Sequence, residues 1–423
     1  MKKAWNKKAI ITVVISILCI VIIGILVYGG AAFYRVNETI EEVTKNPEEV
    51  RVEMAVLVLA DSEVEEITEL SQLLISYMES EKEYADAVIK EISASVGEGI
   101  SFHSFSNAFD MVDALYAKTV KAVILNKAYL DVLADTEGYE DVLEKIKVIY
   151  SYEVVDYIQL VEKEESNLDT FVVYISGIDV WGHVSVVSRS DVNILMVVNT
   201  KTKQIQLINT PRDYFVALPN SNGVKDKLTH AALYGVDNSM GALEMLYGVD
   251  IDYFVRMNFS GFEAIIDSLG GIDVYSEQAF TVEPIKHYEK GMNHLTGLEA
   301  LAFARERYAF KDGDHQRGRN QMAVITATVD KLLSPELLYQ YGNVLDAVEG
   351  TFQTNMTPEE IYELVRMELT NMGAWNIETF AVSGSNGRST TFTAPNSNAY
   401  VMIPSEADIV AAKEKIQAVL EAE

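Results

Sequence analysis

FVVYISGIDVWGHVSVVSRSDVNILMVVNTKTKQIQLIN, residues 171–209, holds three apolar runs separated by polar chain. FVVYISG (171–177), DVNILMVVN (191–199) and KQIQLIN (203–209) are rich in β-branched residues, and each reads as a strand. The Thr-Lys-Thr turn at 200–202 joins the last two as a hairpin. Runs this apolar form the middle of a sheet, buried on both faces. Helical patterns follow at 239–247, 259–268 and 297–305, with a further strand at 251–257 and Gly270-Gly271 as a stop between elements. Thr296 and Glu299 make a capping box before LEALAFA, and Thr357-Pro358-Glu359-Glu360 makes another with Pro at the first helical position. The fold class is mixed α/β. After Trp375, GSNGRST (384–390) reads as a loop between strand-like pieces.

Upstream, MAVLVLA (54–60) and AVILN (122–126) read as buried strands and EITELSQLLISYM (66–78) as an amphipathic helix, which suggests a small α/β domain. It carries no chemical motif, and its Asp and Glu read as a solvated surface, so an accessory or interaction role is expected. Residues 1–8 carry four Lys, and the 22 residues from Ala9 to Gly30 carry no charge. That length spans a bilayer as a helix, with the Lys cluster cytoplasmic and the bulk of the chain outside. A cleaved signal peptide is the alternative, but its apolar region is normally shorter. The expected order is a cytoplasmic tail (1–8), a single transmembrane helix (9–30), a stalk (31–50), an accessory domain (51–165), a catalytic domain (166–404) and a C-terminal helical tail (405–423).

The single Cys19 lies in the apolar segment, so no disulfide forms within the chain, and the six His include no ligand-like pair for zinc. A net charge of −29, from 63 acidic and 34 basic residues, argues against nucleic acid as a partner. An anionic ligand must then be drawn by local cations.

Such cations recur at strand ends and in RERYAFKDGDHQRGRNQ (305–321), which carries four Arg. Asp314, Arg317 and Gln321 share a helix face continued by Ile325, Thr328 and Leu332, so charges extend an apolar seam. Arg305 lies on the stripe of Leu298 and Leu301 and is expected to project inward, a face that Arg307 cannot share. Asp179 ends the first strand of the second domain, Asp191 opens the next, and Arg189 points to the same side as Asp191. Two such carboxylates can hold a hard cation such as Mg²⁺ or remain ordinary surface groups. Pro211-Arg212-Asp213 follows the third strand and brings another cation and carboxylate to that edge. Arg189, Arg212, Arg305, Arg307 and Arg317 together could cradle a pyrophosphate, the competing reading being a salt-bridged interior. His230, in KDKLTHAALYG, assists a site or simply packs. No Gly-x-Ser-x-Gly elbow supports a serine hydrolase.

GID (177–179), SRSDVNILMVVN (188–199), INTPRDYFV (208–216), IDSLGGIDV (266–274), LTGLEALAFARERY (295–308) and GDHQRGRNQ (313–321) occur in the order of the landmarks of the LytR-CpsA-Psr (LCP) family, which the second domain resembles over about 170–330. With GIDVWG and KDKLTHA it is most similar to the capsule-associated CpsA branch, although Val180 stands where many members place Arg. The resemblance implies a central mixed sheet flanked by helices. It also implies an extracytoplasmic transferase in the Gram-positive cell envelope, moving a capsule or teichoic-acid-like glycopolymer from undecaprenyl pyrophosphate to the C6 hydroxyl of peptidoglycan N-acetylmuramic acid. On that basis Asp179 and Asp191 hold Mg²⁺ or Mn²⁺, while Arg189, Arg212, Arg305, Arg307 and Arg317 grip the pyrophosphate with Gln321 nearby. Asp213 and Asp314 are the candidate bases. YFVRMNFSGF (253–262) and the helices between 322 and 348 are candidate walls for a polyprenyl tunnel. Implied partners are the polyprenyl-pyrophosphate-linked glycan, peptidoglycan, membrane lipid and capsule-assembly proteins. A lipid-pyrophosphate hydrolase or a non-catalytic membrane-anchored regulator would share these residues.

Overall fold

The structure, a computed structural model, describes residues 49–96, 99–157, 167–178, 180, 182–311, 313–334, 352–371 and 373–423; the side chains of residues 314, 315, 358, 362 and 369 lie outside it. The expected cytoplasmic tail, transmembrane helix and nearly all of the stalk, the charged run at 162–165, Asp179 and the helical stretch beyond 334 also lie outside the described residues. Among the described residues, no helix is long and apolar enough to cross a membrane.

The first sheet contains β1 (Glu49–Leu59), β2 (Leu74–Met78), β3 (Ser101–Phe105), β4 (Ala122–Asn126) and β5 (Ile146–Tyr157), in the order β3-β2-β4-β1-β5. Along β1 the side chains alternate between two cores. Val52, Met54, Val56 and Val58 pack with Ala85, Val88 and Ile92 of the helix Lys82–Val96, while Ala55 and Leu57 meet the helices Ala108–Tyr116 and Ala128–Ala134. The helix expected over 66–78 does not form. A 3₁₀ turn at Ile67–Glu69 is followed by Gln72 at φ 62°, which stops helical propagation, and the apolar LISYM then becomes β2 between β3 and β4. A short apolar run satisfies both periods, and here the neighbouring strands decide between them.

The second sheet is built on β6 (Thr170–Ile178), β7 (Ser190–Asn199) and β8 (Gln204–Asn209), with the expected hairpin between the last two. The chain continues through β9 (Phe215–Ala217), β10 (Lys225–Lys227), β11 (Tyr253–Met257), β12 (Ile272–Ser276), β13 (Phe280–Val282), β14 (Lys286–Tyr288), β15 (Gly291–Leu295), β16 (Phe352–Thr354), β17 (Asn376–Ala381), β18 (Gly384–Ser389) and β19 (Ala399–Pro404). The large sheet has the order β16-β11-β6-β7-β8-β17. Because β6 is parallel to β11, β8 is parallel to β17, and β7 opposes both its neighbours, the carboxyl ends of β6, β8, β11 and β17 share one edge. In open α/β sheets this is the edge that receives ligands.

Helices Val236–Tyr247, Phe259–Ser268 and Gly297–Arg305 form where the periodicity placed them, and both capping boxes are made. GSNGRST is not a loop: Gly384–Ser389 pairs antiparallel with β19. A Cβ at Gly384 would fall 2.4 Å from the carbonyl oxygen of Ile403, so glycine marks a close backbone approach here. One face of the large sheet is covered by the helices Val236–Tyr247 and Glu406–Leu420, the other by Met322, Ile325 and Val329 of the helix Asp314–Leu332 and Leu364 of the helix Pro358–Thr370.

The two sheets are joined by a packed contact. Leu233, Tyr234 and Ala394 enter the core of the first-sheet domain beside Tyr129. Asn396 Nδ2 donates to Asp110 Oδ1 at 2.7 Å, and Arg388 pairs with Glu137. The backbone of Arg51 bonds Ser185 and Val187 in the segment between β6 and β7.

Candidate active site

The segment between β6 and β7 carries Asp179 and Arg189, and two buried side chains anchor it from β11 and its end. Arg256, largely buried, donates to the carbonyl of Val186 at 2.8 Å, and Asn258 Nδ2 donates to that of Gly182 at 2.6 Å. Burial lowers the Arg256 pKa to about 10, so the guanidinium remains charged at neutral pH.

Asp191, Arg212 and Asp213 converge at the sheet edge. Arg212 Nη1 donates to Asp191 Oδ2 at 2.8 Å, and its Nε lies 3.6 Å from Asp213 Oδ2. Asp213, 8% exposed, also receives Lys227 Nζ at 3.2 Å, and the Thr229 hydroxyl reaches Asp191 Oδ1 at 3.4 Å. Lys227 and Thr229 are additions to the residues expected from sequence. Their signal was KDKLTHA, since positions 227 and 229 are carried to this edge where β10 pairs with β9 and Thr229 N–H bonds the Arg212 carbonyl at 2.8 Å. His230 is buried away from solvent with Nδ1 2.8 Å from Asp226 Oδ1. Burial pushes the Asp226 pKa up, but His230 and the amide and hydroxyl of Thr393 outweigh it and hold the carboxyl below its ordinary range.

Arg189 belongs to the same neighbourhood, yet its partner comes from the other domain. Its guanidinium is ion-paired with Asp135, which caps the C-terminus of the helix Ala128–Ala134, and lies 3.5 Å from the carbonyl of Asp131 within that helix. Burial would raise Asp135, but Arg189 overrides it with help from Arg212 and Lys227, so Asp135 titrates below the usual carboxylate value. Asp131 titrates above its usual value because burial, reinforced by Asp135 and Asp191, exceeds the opposing pull of Arg189. The expectation that acidic residues of this domain are only a solvated surface is therefore corrected at Asp135.

The remaining Arg residues arrive on two helices or, for Arg307, just beyond one. Arg305 is exposed rather than inward-facing: of its stripe only Leu301 is buried, Leu298 being 50% exposed, and the helix packs mainly through Ala300, Phe303 and Ala304. Its guanidinium lies 4.2 Å from the ring centroid of Phe259, whose amide bonds the Val180 carbonyl, so Arg305 stands beside the end of β6. Arg307, past the helix end, stacks on Tyr308 and donates to its hydroxyl at 2.6 Å. On Asp314–Leu332 the innermost face is Gln316, Asn320 and Val324, while Arg317 and Gln321 are half-buried beside it. A Cβ at Gly318 would lie 3.1 Å from Asn209 Nδ2, so the first turns of this helix abut the end of β8 just ahead of Arg212. Asp314 begins that helix, its side chain outside the described residues.

Among the described residues, no three His, Cys, Asp or Glu side chains converge on a cation position. The carboxylate oxygens of Asp191 at this edge meet Arg212 and Thr229, and Asp179 lies outside the described residues. Phe280, Tyr288, Phe303 and Phe310 pack in stacked, tilted and edge-to-face contacts as an aromatic cluster in the core shared by β12, β13, β14 and β15 and the helices.

Comparison with known proteins agrees with this architecture. Over 193 residues the chain is 35% identical to the polyisoprenyl-teichoic acid–peptidoglycan teichoic acid transferase TagU of Bacillus cereus, covering 45% of this chain and 62% of that protein. It is 32% identical over 211 residues to the TagT transferase of Bacillus subtilis, covering 47% and 64%. The chain thus spans less than two thirds of the length of these curated relatives. The crystal structure of B. subtilis TagV superposes with a TM-score of 0.51 at 26% identity, covering 61% of this chain and 100% of that one. The LytR_cpsA_psr family profile matches residues 134–418, well over half of the chain, which therefore belongs to the LytR_cpsA_psr family.

Proposed function

We propose that the protein transfers a capsule or teichoic-acid-like glycopolymer from undecaprenyl pyrophosphate to the C6 hydroxyl of peptidoglycan N-acetylmuramic acid at the extracytoplasmic membrane face. The observation that carries this reading is the convergence of Arg189, Arg212 and Lys227 with Asp191 and Asp213 at the carboxyl edge of the sheet. Phosphoryl transfer asks a protein mainly for positioning and charge neutralisation, and forked guanidinium groups supply both. The acceptor oxygen attacks the glycan-linked phosphorus, the bridging P–O bond breaks, and lipid monophosphate leaves. Asp213 or Asp314 receives the hydroxyl proton, while Arg305, Arg307, Arg317 and Gln321 line the approach of the diphosphate. Asp191 with Asp179 would hold Mg²⁺ or Mn²⁺, which when bound supplies further charge neutralisation; carboxylate oxygens suit such hard ions.

The test is to reconstitute the full chain in vesicles with lipid-pyrophosphate-linked glycan, Mg²⁺ and peptidoglycan fragments, and to analyse the fragments by mass spectrometry. Glycan joined through a phosphodiester supports the transferase. Free polymer alone indicates a hydrolase, and binding without turnover indicates a regulator.

A further inference from the structure

Arg189 is 8% exposed, and its acidic partner does not come from its own sheet. The partner is Asp135, at the end of a helix in the first-sheet domain, whose side chain is 45% exposed and lies within the field of Arg212 and Lys227 as well. A carboxylate among three cations of an anion site stands where a negatively charged ligand would be stabilised. This placement is fixed on both sides of the pair. Arg51 of β1 holds the segment leading to Arg189, through bonds of 3.0 Å from its amide to Ser185 and 2.8 Å to its carbonyl from Val187. On the other side, Leu233, Tyr234 and Ala394 are packed into the core that also holds Tyr129 and Val132 of the Asp135-bearing helix.

We propose that Asp135 is the resident counter-ion of Arg189, displaced when a multiply charged diphosphate binds, so that the first-sheet domain sets the affinity of the site. This deepens the function proposed above and rests on it. With Asp135 in place, Arg189 is neutralised and oriented without ligand. A diphosphate competes because it carries several charges and bonds several cations at once, whereas a single negative charge gains less from the exchange. Asp135 is thereby an affinity-determining residue contributed across a domain contact.

The experiment measures binding of inorganic pyrophosphate, with Mg²⁺ present, to the full chain in detergent by calorimetry. Asp135→Asn keeps the shape and removes the charge, and is expected to tighten binding about twofold to fivefold, the upper range for a partly exposed charge pair. The gain should vanish in an Arg189→Ala background, because the two residues act as one pair. Glu137→Gln, which removes the domain-contact charge paired with Arg388, should leave the affinity unchanged. Unchanged or weaker binding by Asp135→Asn, with wild type binding and Arg212→Ala not, would overturn the counter-ion role while leaving the functional reading standing. An equal gain from Glu137→Gln would also overturn it, since the effect would then come from loosened docking. If wild type binds no pyrophosphate, the functional reading fails and this proposal falls with it. Thermal melts of each variant verify that it is folded.

Discussion

Arg212 Nη1 sits 2.8 Å from Asp191 Oδ2, joining the start of β7 to the turn after β8 across 21 positions of sequence. The same guanidinium presents Nε to Asp213, so one planar fork lies between two carboxylates. Lysine, a single point of charge, cannot reproduce that geometry.

Arg212→Ala and Arg212→Lys should therefore both lose transfer by at least about 100-fold, the size expected when a charge-stabilising donor is removed. Steady-state assay in vesicles checks this. Retention of most activity by Arg212→Lys would place the fork outside the reacting centre.

Asp191→Asn should abolish the Mg²⁺ dependence of pyrophosphate binding, and EDTA should reduce wild-type affinity to the level of that variant. Titration calorimetry with and without the metal reads both. Equal wild-type affinity in Mg²⁺ and EDTA would remove the metal from the mechanism.

Arg305→Ala should weaken transfer without changing stability, because the guanidinium is exposed and rests on Phe259 rather than in a core. Activity and thermal melting measured together test this. A large drop in melting temperature would mean that the stacking is structural.

Glu81 makes the stability of the first-sheet domain depend on pH. Burial raises its pKa from 4.5 to about 7, against the opposing hydrogen bond from Asn126. The folded state thus binds a proton that the unfolded state has released, so stability falls as pH rises from 4.5 to about 7 and stays reduced above that. Glu81→Gln should remove the fall and be more stable at pH 8 by about 3 kcal/mol. Urea unfolding of wild type and variant between pH 5 and pH 8 gives the answer; parallel curves would contradict it.

Sequence alone determined what depends on local period and end chemistry. The strands at 171–177, 191–199 and 203–209, the hairpin between the last two, and the helices capped by Thr296 and Thr357 follow from side-chain alternation and from donors that each helix start must satisfy. Asp191, Arg212 and Asp213 were legible for the same reason, since ends of strands with known direction meet at one edge.

Tertiary structure decided what depends on neighbours distant in sequence. LISYM became β2 because strands were available on both sides, and GSNGRS became β18 because β19 came close enough to require glycine. Arg305 faces outward because its helix packs through Ala300, Leu301, Phe303 and Ala304, which leaves Leu298 and Arg305 at the surface. Lys227 and Thr229 joined the edge through the β9–β10 pairing, and Asp135 met Arg189 across 54 positions through docking of a second domain. Periodicity states which face of an element is apolar, but the partner met by a charged side chain is set by how separate elements pack, and no local pattern encodes that.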